Sequence, residues 1–291
     1  MGIPILIFFM LLNVFTNIIT IKALILDPNV SRLISRSDEV SIPLTKSGIG
    51  GYSHIYSNVV MLPLFIYFVF NSFTKRSFVL FSIYSINLLT TVFVIYKAQY
   101  TIALLLTFFI LAFSVYNYCN GVIRLFGLLL IACYGSYYFL NSESIALNFG
   151  DGKYSDKIRS ISSLIYYGNF TDQSNQIGNR TYLYLNSLSA FFQNPFGVQV
   201  FDTKIIGGHS DFIDKFAQFG FIVAPFIIYS FIWFPLYCYR KAEGNLRNIV
   251  LLSLLCLLVV SLFNTLSVQM AMYFFILSIT INESKSEIDY S

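Results

Sequence analysis

The sequence predicts an all-α polytopic membrane protein with about eight transmembrane helices and a large external loop that carries short amphipathic helices. Charged residues make up 11% of the chain and hydrophobic residues 56%, whereas ordinary soluble domains are about 25% charged. The apolar residues form runs of roughly the 20 residues that a bilayer span requires. One polar interlude, residues 141–214, is far longer than most of the others.

Eight segments are long and apolar enough to cross a bilayer. They are residues 2–25, 54–73, 78–97, 101–118, 122–140, 215–238, 247–264 and 267–282. We expect residues 1–291 to form a single integral membrane domain with two substantial loops, 26–53 and 141–214. The first segment lacks a basic flank and a small-residue cleavage site, so we expect a retained helix rather than a signal peptide.

The basic residues of the short connections predict the orientation, because Lys and Arg favour the cytoplasmic side. Those between segments two and three, between six and seven, and after segment eight fall on one side: Lys75, Arg76, Arg240, Lys241, Arg247 and Lys285. Both termini are then cytoplasmic, and loops 26–53 and 141–214 emerge together on the outer face.

The long loop has a pattern of its own. Residues 157–167 and 182–192 each carry apolar side chains at helical spacing, which predicts two amphipathic helices on the membrane surface. Residues 172–178 read as a polar turn, and Asn194-Pro195 should end the second helix because proline cannot continue its hydrogen bonds.

The composition also excludes several classes of function. A net charge of +4, scattered along the chain, does not favour nucleic-acid binding. The four cysteines lie in or beside apolar segments without metal-ligand spacing, so we interpret them as apolar fillers rather than disulfide partners. With two histidines, no Asp-x-Asp pair and no clustered thiols outside the membrane, we expect neither a metal site nor another cofactor. The lack of paired carboxylates argues against a nucleotide-sugar donor and for a lipid-diphosphate donor.

His209 is the strongest candidate for chemistry. It follows Gly207 and Gly208, which permit a tight turn, and it precedes the sixth apolar segment. A neutral imidazole at this boundary suits a general base that takes a proton from a sugar hydroxyl. The alternative is an interfacial histidine that binds a carbonyl. The other histidine, His54, opens segment two and should tolerate substitution better.

Arginines are the candidate phosphate ligands. Arg180 begins the second amphipathic helix, where it either binds phosphate or is a solvated charge. Arg32 and Arg36 are four residues apart, so a helix would place both on one face as an anion clamp or as two headgroup-facing cations. Gly50, Gly51 and Tyr52 lead into segment two; we interpret them as a flexible or tight connection whose amides are minor candidates for substrate binding. Asp211 is expected to cap segment six, and Asp214 either caps it or orients His209.

The run Arg180, Asn194-Pro195-Phe196-Gly197, His209-Ser210 and Phe219-Gly220 resembles the O-antigen polymerase and ligase superfamily. That family has many transmembrane helices and a large external loop with an arginine-bearing helix, an Asn-Pro-x-Gly element and a histidine before a glycine-containing helix. Residues 32–52 resemble the family's earlier external loop.

The resemblance implies a metal-independent glycosyltransferase of a bacterial inner membrane that polymerises undecaprenyl-diphosphate-linked oligosaccharide repeat units into O-antigen, capsular or exopolysaccharide. His209 and Arg180 would be catalytic on the periplasmic face. The implied substrate-binding residues are Arg32, Arg36, Arg159, Gly50, Gly51, Tyr52, Asn194 and Gly197. The lipid-linked oligosaccharide, the bilayer and a chain-length regulator protein are the expected partners. Two alternatives stay open: a ligase with the same donor, and a lipid-linked oligosaccharide flippase or other transporter.

Overall fold

The computed structural model describes residues 2–34, 38–119, 176–198, 206–207, 210–264 and 273–281, together with short stretches between 121 and 133. Of these residues, 87% are helical and none is in a strand, which confirms the all-helical class. The helices before the large loop are α1 Gly2–Leu26, α2 Val30–Leu33, α3 Asp38–Lys46, α4 Tyr52–Thr74, α5 Phe78–Ala98 and α6 Thr101–Tyr118. After it come α7 Gln176–Gln193, α8 Asp211–Ile228, a π-helical turn Tyr229–Trp233, α9 Phe234–Lys241, α10 Gly244–Phe263 and α11, residues 273–281.

Six helical stretches of the described chain are long and apolar enough to cross a membrane. They correspond to six of the eight predicted segments: Ile3–Leu26, Tyr52–Thr74, Phe78–Ala98, Thr101–Tyr118, Phe212–Lys241 and Gly244–Phe263. The predicted segment 122–140 lies largely outside the described residues, and of the segment 267–282 only residues 273–281 are described, as a helix. The chain is therefore a multi-pass membrane protein.

The described residues divide into two compact units. The first lies within Met1–Cys119, Tyr229–Val260 and Leu266–Ser291, and the second within Asn120–Ile228 and Ser261–Thr265.

In the first unit, α4 is the central helix. Of its most apolar 18-residue window, 72% is buried, against 22% in α1 and 28% in α5. Helix α5 packs along both α1 and α4, and Ser253 of α10 donates its hydroxyl to Val60 O of α4 at 2.6 Å. The outer helices expose large apolar side chains, such as Phe8 and Leu89, as expected for surfaces in contact with lipid.

Two connections of the first unit, the one after α1 and the one between α5 and α6, meet at one end of the helices. Ser31 after α1 and Tyr100 between α5 and α6 are buried, and their hydroxyls are 2.7 Å apart. The loop 26–53 and the turn at Gln99-Tyr100 are thus at the same end of the helices, as the predicted alternation of spans requires. At the other end, the rings of Phe70 and Tyr118 stack at 4.2 Å.

In the second unit, α7 confirms the second predicted amphipathic helix and ends before Asn194-Pro195, as expected. Its start differs from the prediction. Residues 176–178, which we assigned to a polar turn, already belong to α7, and Arg180 lies in its second turn rather than at its start. A single glycine, Gly178, weakens a helix by only about 1 kcal/mol relative to alanine, so the polar composition was a poor indicator of a turn. The first predicted amphipathic helix, 157–167, lies outside the described residues.

Candidate functional site

Helix α8 is interrupted at Gly220, where the backbone leaves the helical conformation (φ 66°, ψ −166°). In a regular helix the amide of Phe221 would donate to the carbonyl of Ala217, four residues earlier. Instead the amide of Phe221 donates to Pro195 O at 2.7 Å, and Ala217 O accepts the amide of Val198 at 3.0 Å. The turn after α7 therefore satisfies both backbone groups that the interruption releases. We call this pair of hydrogen bonds the interlock.

Two glycines make the interlock possible. Gly197 and Gly220 have φ angles of 101° and 66°, a region that side chains other than glycine rarely occupy. A Cβ at Gly220 would overlap the backbone of residues 195–197. A Cβ at Gly197 would lie 2.7 Å from Gln218 O. The Asn-Pro-Phe-Gly turn and the Phe-Gly pair of α8, 22 residues further along the chain, thus fit together by main-chain contact.

The interlock rests on a small apolar core. Ala190 of α7, Val198 and Ala217 of α8 are buried against one another, with Phe191 and Ile206 packed around them. Because small side chains face each other here, the backbones of the turn and of α8 can approach closely.

A second group of hydrogen bonds joins the start of α8 to α7. Asp214 accepts the hydroxyl of Ser187 at 2.6 Å and the amide of Ser210 at 2.8 Å. Ser187 in turn accepts the amide of Gly207 at 2.9 Å. The hydroxyl of Ser210 accepts the amide of Ile213 at 3.1 Å, three residues into the helix, which is the geometry of an N-cap.

The cap of α8 corrects a prediction. We assigned it to Asp211, which is instead the first residue of the helix, while Ser210 holds the cap position. Asp214 provides the reciprocal contact to the Ser210 amide, much as the glutamate of a capping box does.

These contacts bear on the predicted catalytic pair. His209 lies outside the described residues, but Gly207, two residues before it, and Ser210, the residue after it, are each bonded to a side chain of α7 or α8. A Cβ at Gly207 would overlap the carbonyl of Leu183, so this backbone lies directly against α7. Leu183 is three residues, one helical turn, after Arg180, whose backbone is part of α7. Of the predicted turn residues, Asn194 is exposed and Gly197 is half-buried.

In the first unit, Arg32 packs on Tyr100. Its guanidinium lies 5.3 Å from the centre of the Tyr100 ring, a distance typical of a cation–π contact. Its nitrogens also reach Asn29 Oδ1 at 3.4 Å and Gln99 O at 3.5 Å. Burial raises the pKa of Tyr100 to about 12, although the Ser31 hydroxyl and Arg32 both oppose this shift. The phenol therefore stays protonated at physiological pH.

Tyr100 also contacts Tyr52, another predicted ligand at the end of the loop 26–53. Its ring lies 4.7 Å from Tyr52 and stacks on Tyr56 at 5.7 Å. The predicted ligands Arg32 and Tyr52 thus flank the same ring. Nothing in the sequence indicated that Tyr100 would contact these residues, since it lies in the short, nearly uncharged turn between α5 and α6.

Gly50 and Gly51 form a close connection into α4. The Gly50 amide donates to Thr20 Oγ1 at 2.7 Å, and a Cβ there would overlap the ring of His54. A Cβ at Gly51 would lie 2.9 Å from Ile34. The Gly50 amide is therefore bonded within the protein. The helix that contains Arg32 ends at Leu33, and the shared face expected for Arg32 and Arg36 stays a prediction. Arg36 and Arg159 lie outside the described residues.

A buried polar cluster joins α1, α4 and α5, and sequence reasoning missed it. Asn13 Nδ2 lies 3.1 Å from Asn58 Oδ1 and 3.0 Å from Asn87 Oδ1. Asn17 Oδ1 accepts Asn58 Nδ2 at 2.9 Å, and its Nδ2 donates to Thr91 at 3.1 Å. We call these five residues, with His54, the amide cluster.

His54 is part of that cluster rather than an isolated interfacial residue. Its Nε2 lies 2.9 Å from Asn17 Oδ1 and 3.1 Å from Asn58 Nδ2. Its replacement should therefore cost stability, while the expectation that polymer synthesis tolerates this better than replacement of His209 stays a prediction. The signal in the sequence was the i, i+4 spacing of the polar residues within apolar segments: Asn13 and Asn17, His54 and Asn58, Asn87 and Thr91.

No family model, no curated protein and no solved structure matches the chain. Within the described ranges, no three side chains of the His, Cys, Asp or Glu type come together as a metal site would require.

Proposed function

We propose that the chain is a membrane glycosyltransferase that polymerises oligosaccharide repeat units carried on undecaprenyl diphosphate. The observation that carries this proposal is the interlock. The Asn194–Gly197 turn and Gly220, which the sequence resemblance singles out at separate positions, are held together by reciprocal main-chain hydrogen bonds. Both positions require glycine, since their φ angles are positive and a Cβ at either would overlap backbone, and the resemblance includes the same two glycines.

Two residues close to His209 in the sequence support its proposed role as general base. Gly207, two residues before it, donates its amide to Ser187, and Ser210, the residue after it, donates its amide to Asp214. A base must be held within hydrogen-bonding reach of the proton that it removes, and anchored neighbours suit that requirement. In the proposed step the acceptor hydroxyl oxygen attacks the anomeric carbon of the donor sugar, and its proton passes to His209. The bond from that carbon to the diphosphate oxygen breaks.

Arginines are proposed to neutralise the charge of the diphosphate. Arg180 is carried by α7, against which the backbone at Gly207 packs. As undecaprenyl diphosphate leaves, negative charge grows on its oxygens, and a guanidinium can bind two of them at once. Arg32, on the ring of Tyr100, is proposed to hold a lipid diphosphate at the loop end of the first unit. A single displacement of this kind inverts the anomeric carbon.

The proposed location is a bacterial inner membrane, with both termini in the cytoplasm and the large loop in the periplasm. The contact between Ser31 and Tyr100 agrees with the alternation of spans on which this orientation rests. A chain-length regulator protein is the proposed protein partner.

The test is deletion of the gene and sizing of the surface polysaccharide, followed by complementation. A polymerase leaves single repeat units in place of long chains; complete loss of polymer indicates export, and unattached long chains indicate a ligase. Complementation with His209→Gln or Arg180→Lys should restore little polymer, because neither keeps the required proton acceptance or two-point binding. Arg247→Lys is the matched control, since that guanidinium lies on Tyr239 near the basic α9–α10 connection. Normal ladders from both site variants at normal protein level would refute the assignment.

A further inference from the structure

A cavity of about 140 Å³ lies in the first unit beside the amide cluster. Helices α1 and α4 supply most of its walls, and Ile276 of α11 contributes one side. The two helices run antiparallel, since Asn13 pairs with Asn58 while Asn17, further along α1, pairs with His54, earlier in α4. The residue numbers along α1 and α4 therefore show which end of the cavity lies nearer the loop 26–53.

The cavity changes in polarity along that direction. Thr16 of α1 and His54 and Ser57 of α4 line the end nearer the loop 26–53. Phe9 of α1 and Phe65 of α4 line the other end. Phe65 follows His54 by 11 residues, which corresponds to roughly 16 Å of helix. One end thus offers hydrogen-bonding groups and the other only hydrocarbon.

Two polar atoms of the lining residues have no partner within the described chain. His54 meets Asn17 and Asn58 through Nε2, which donates to the first or accepts from the second according to its tautomer, and neither contact uses Nδ1. Asn13 makes its hydrogen bonds through Nδ2, which leaves Oδ1 without a donor. The described lining contains no Asp, Glu, Lys or Arg, so nothing there would balance a formal charge. A charged group would therefore be strongly disfavoured.

We propose that this cavity is a binding site for an uncharged, single-chain amphiphile with a hydroxyl head group. The hydroxyl lies at the polar end, where His54 Nδ1 and Asn13 Oδ1 can exchange hydrogen bonds with it. The hydrocarbon chain extends between Phe9, Met61 and Phe65. The volume sets the length, because an apolar cavity of about 150 Å³ holds a molecule the size of benzene. A chain of about six carbons fits.

Water alone does not match the lining. A buried water needs 2–4 polar partners, and the half of the cavity bounded by Phe9, Met61, Phe65 and Ile276 provides none from side chains. An amphiphile satisfies the polar end and fills the apolar end at once. This inference concerns the first unit alone and does not depend on the proposed glycosyltransferase activity.

The probe is a six-carbon primary alcohol with a photoreactive diazirine on its chain, added to the purified full-length protein in lipid nanodiscs. After illumination, peptide mass spectrometry locates the label. We expect it on the cavity faces of α1 and α4, and we expect excess 1-hexanol to displace it about tenfold better than hexane. That ratio corresponds to the one or two hydrogen bonds that hexane lacks.

Met61→Trp should fill the cavity, since Met61 is 5% exposed and lines it, and should reduce the labelling at least tenfold. Leu89→Trp adds the same ring on the lipid-facing side of α5, where the side chain is 69% exposed, and should leave labelling unchanged. Equal displacement by hexane and hexanol in the wild-type protein would overturn the proposal, whether or not Met61→Trp folds. Label spread evenly over lipid-facing residues would overturn it as well.

Discussion

Substitution of Gly220 by alanine should separate the turn after α7 from helix α8. The added Cβ would overlap the backbone of residues 195–197, and no flexible side chain is there to move aside. Alanine is also strained at φ 66°, ψ −166°, a conformation that costs on the order of 1–3 kcal/mol for residues other than glycine.

The hydrogen bonds of the interlock account for the rest of the free-energy cost of this substitution. When the turn moves away, the amide of Phe221 and the carbonyl of Ala217 lose Pro195 and Val198 as partners. Each buried polar group left unsatisfied costs about 1–3 kcal/mol. With the backbone strain included, the three contributions sum to roughly 3–9 kcal/mol, so the local free energy of opening should fall by at least about 3 kcal/mol.

Hydrogen exchange read by mass spectrometry measures this directly. A loss of 3 kcal/mol corresponds to roughly 100-fold faster exchange, and it should appear in peptides that contain the amides of Val198 and Phe221. Polymer output should fall in parallel if the interlock supports the proposed site.

Gly244→Ala is the matched control. Gly244 also has a positive φ of 53°, but a Cβ there meets nothing within 4 Å. It should show only the backbone strain, about 1–2 kcal/mol, with no change in exchange at residues 194–198. If Gly220→Ala and Gly244→Ala behave alike at the interlock amides, steric contact with the turn is not what maintains it.

Three further predictions concern other parts of the molecule. His54→Ala should lower the thermal stability of the purified protein, since it removes a partner of Asn17 and Asn58 and costs about 1–3 kcal/mol; an unchanged melting temperature would contradict a structural role. Tyr100→Phe loses the bonds of the hydroxyl to Ser31 and Arg32 but keeps the ring beneath Arg32, and should retain most polymer synthesis, whereas Tyr100→Leu also removes the ring and should retain little; equal output from the two variants would argue against the ring. Cysteine at Ser174 should react with a membrane-impermeant thiol reagent in intact cells; reaction only after permeabilisation would reverse the orientation.

The spans and one helix end were predictable because they depend on local properties. Apolar length alone located six membrane-crossing helices within a few residues. The end of α7 followed from Pro195, whose ring excludes a further helical turn. The cap of α8 was misassigned by one residue because serine and aspartate are nearly equal as caps, and only the bond from the Ile213 amide distinguishes them.

The partners of polar groups were not predictable, since they come from distant parts of the chain. The sequence shows Gly220 as a glycine in an apolar segment, but not that Pro195 supplies the acceptor for the next amide. It shows Asn13 and Asn87 as isolated amides, but not that 74 residues of chain fold back to join them. Tyr100 likewise gains its role only when Arg32 and Tyr52 reach it from another loop.

The amide cluster also has a consequence for the order in which the protein is made. Helix α1, with its two amides, emerges from the ribosome before α4 and α5, and Asn58 and Thr91, which bond Asn13 and Asn17, follow them by 45 and 74 residues. Polar groups without partners are costly in hydrocarbon, so α1 should stay beside the insertion machinery until α4 and α5 have arrived. Chains truncated after α1 should crosslink to that machinery, and Asn13→Leu with Asn17→Leu should release them into lipid. Equal crosslinking of both would show that the two amides do not hold α1 at that machinery.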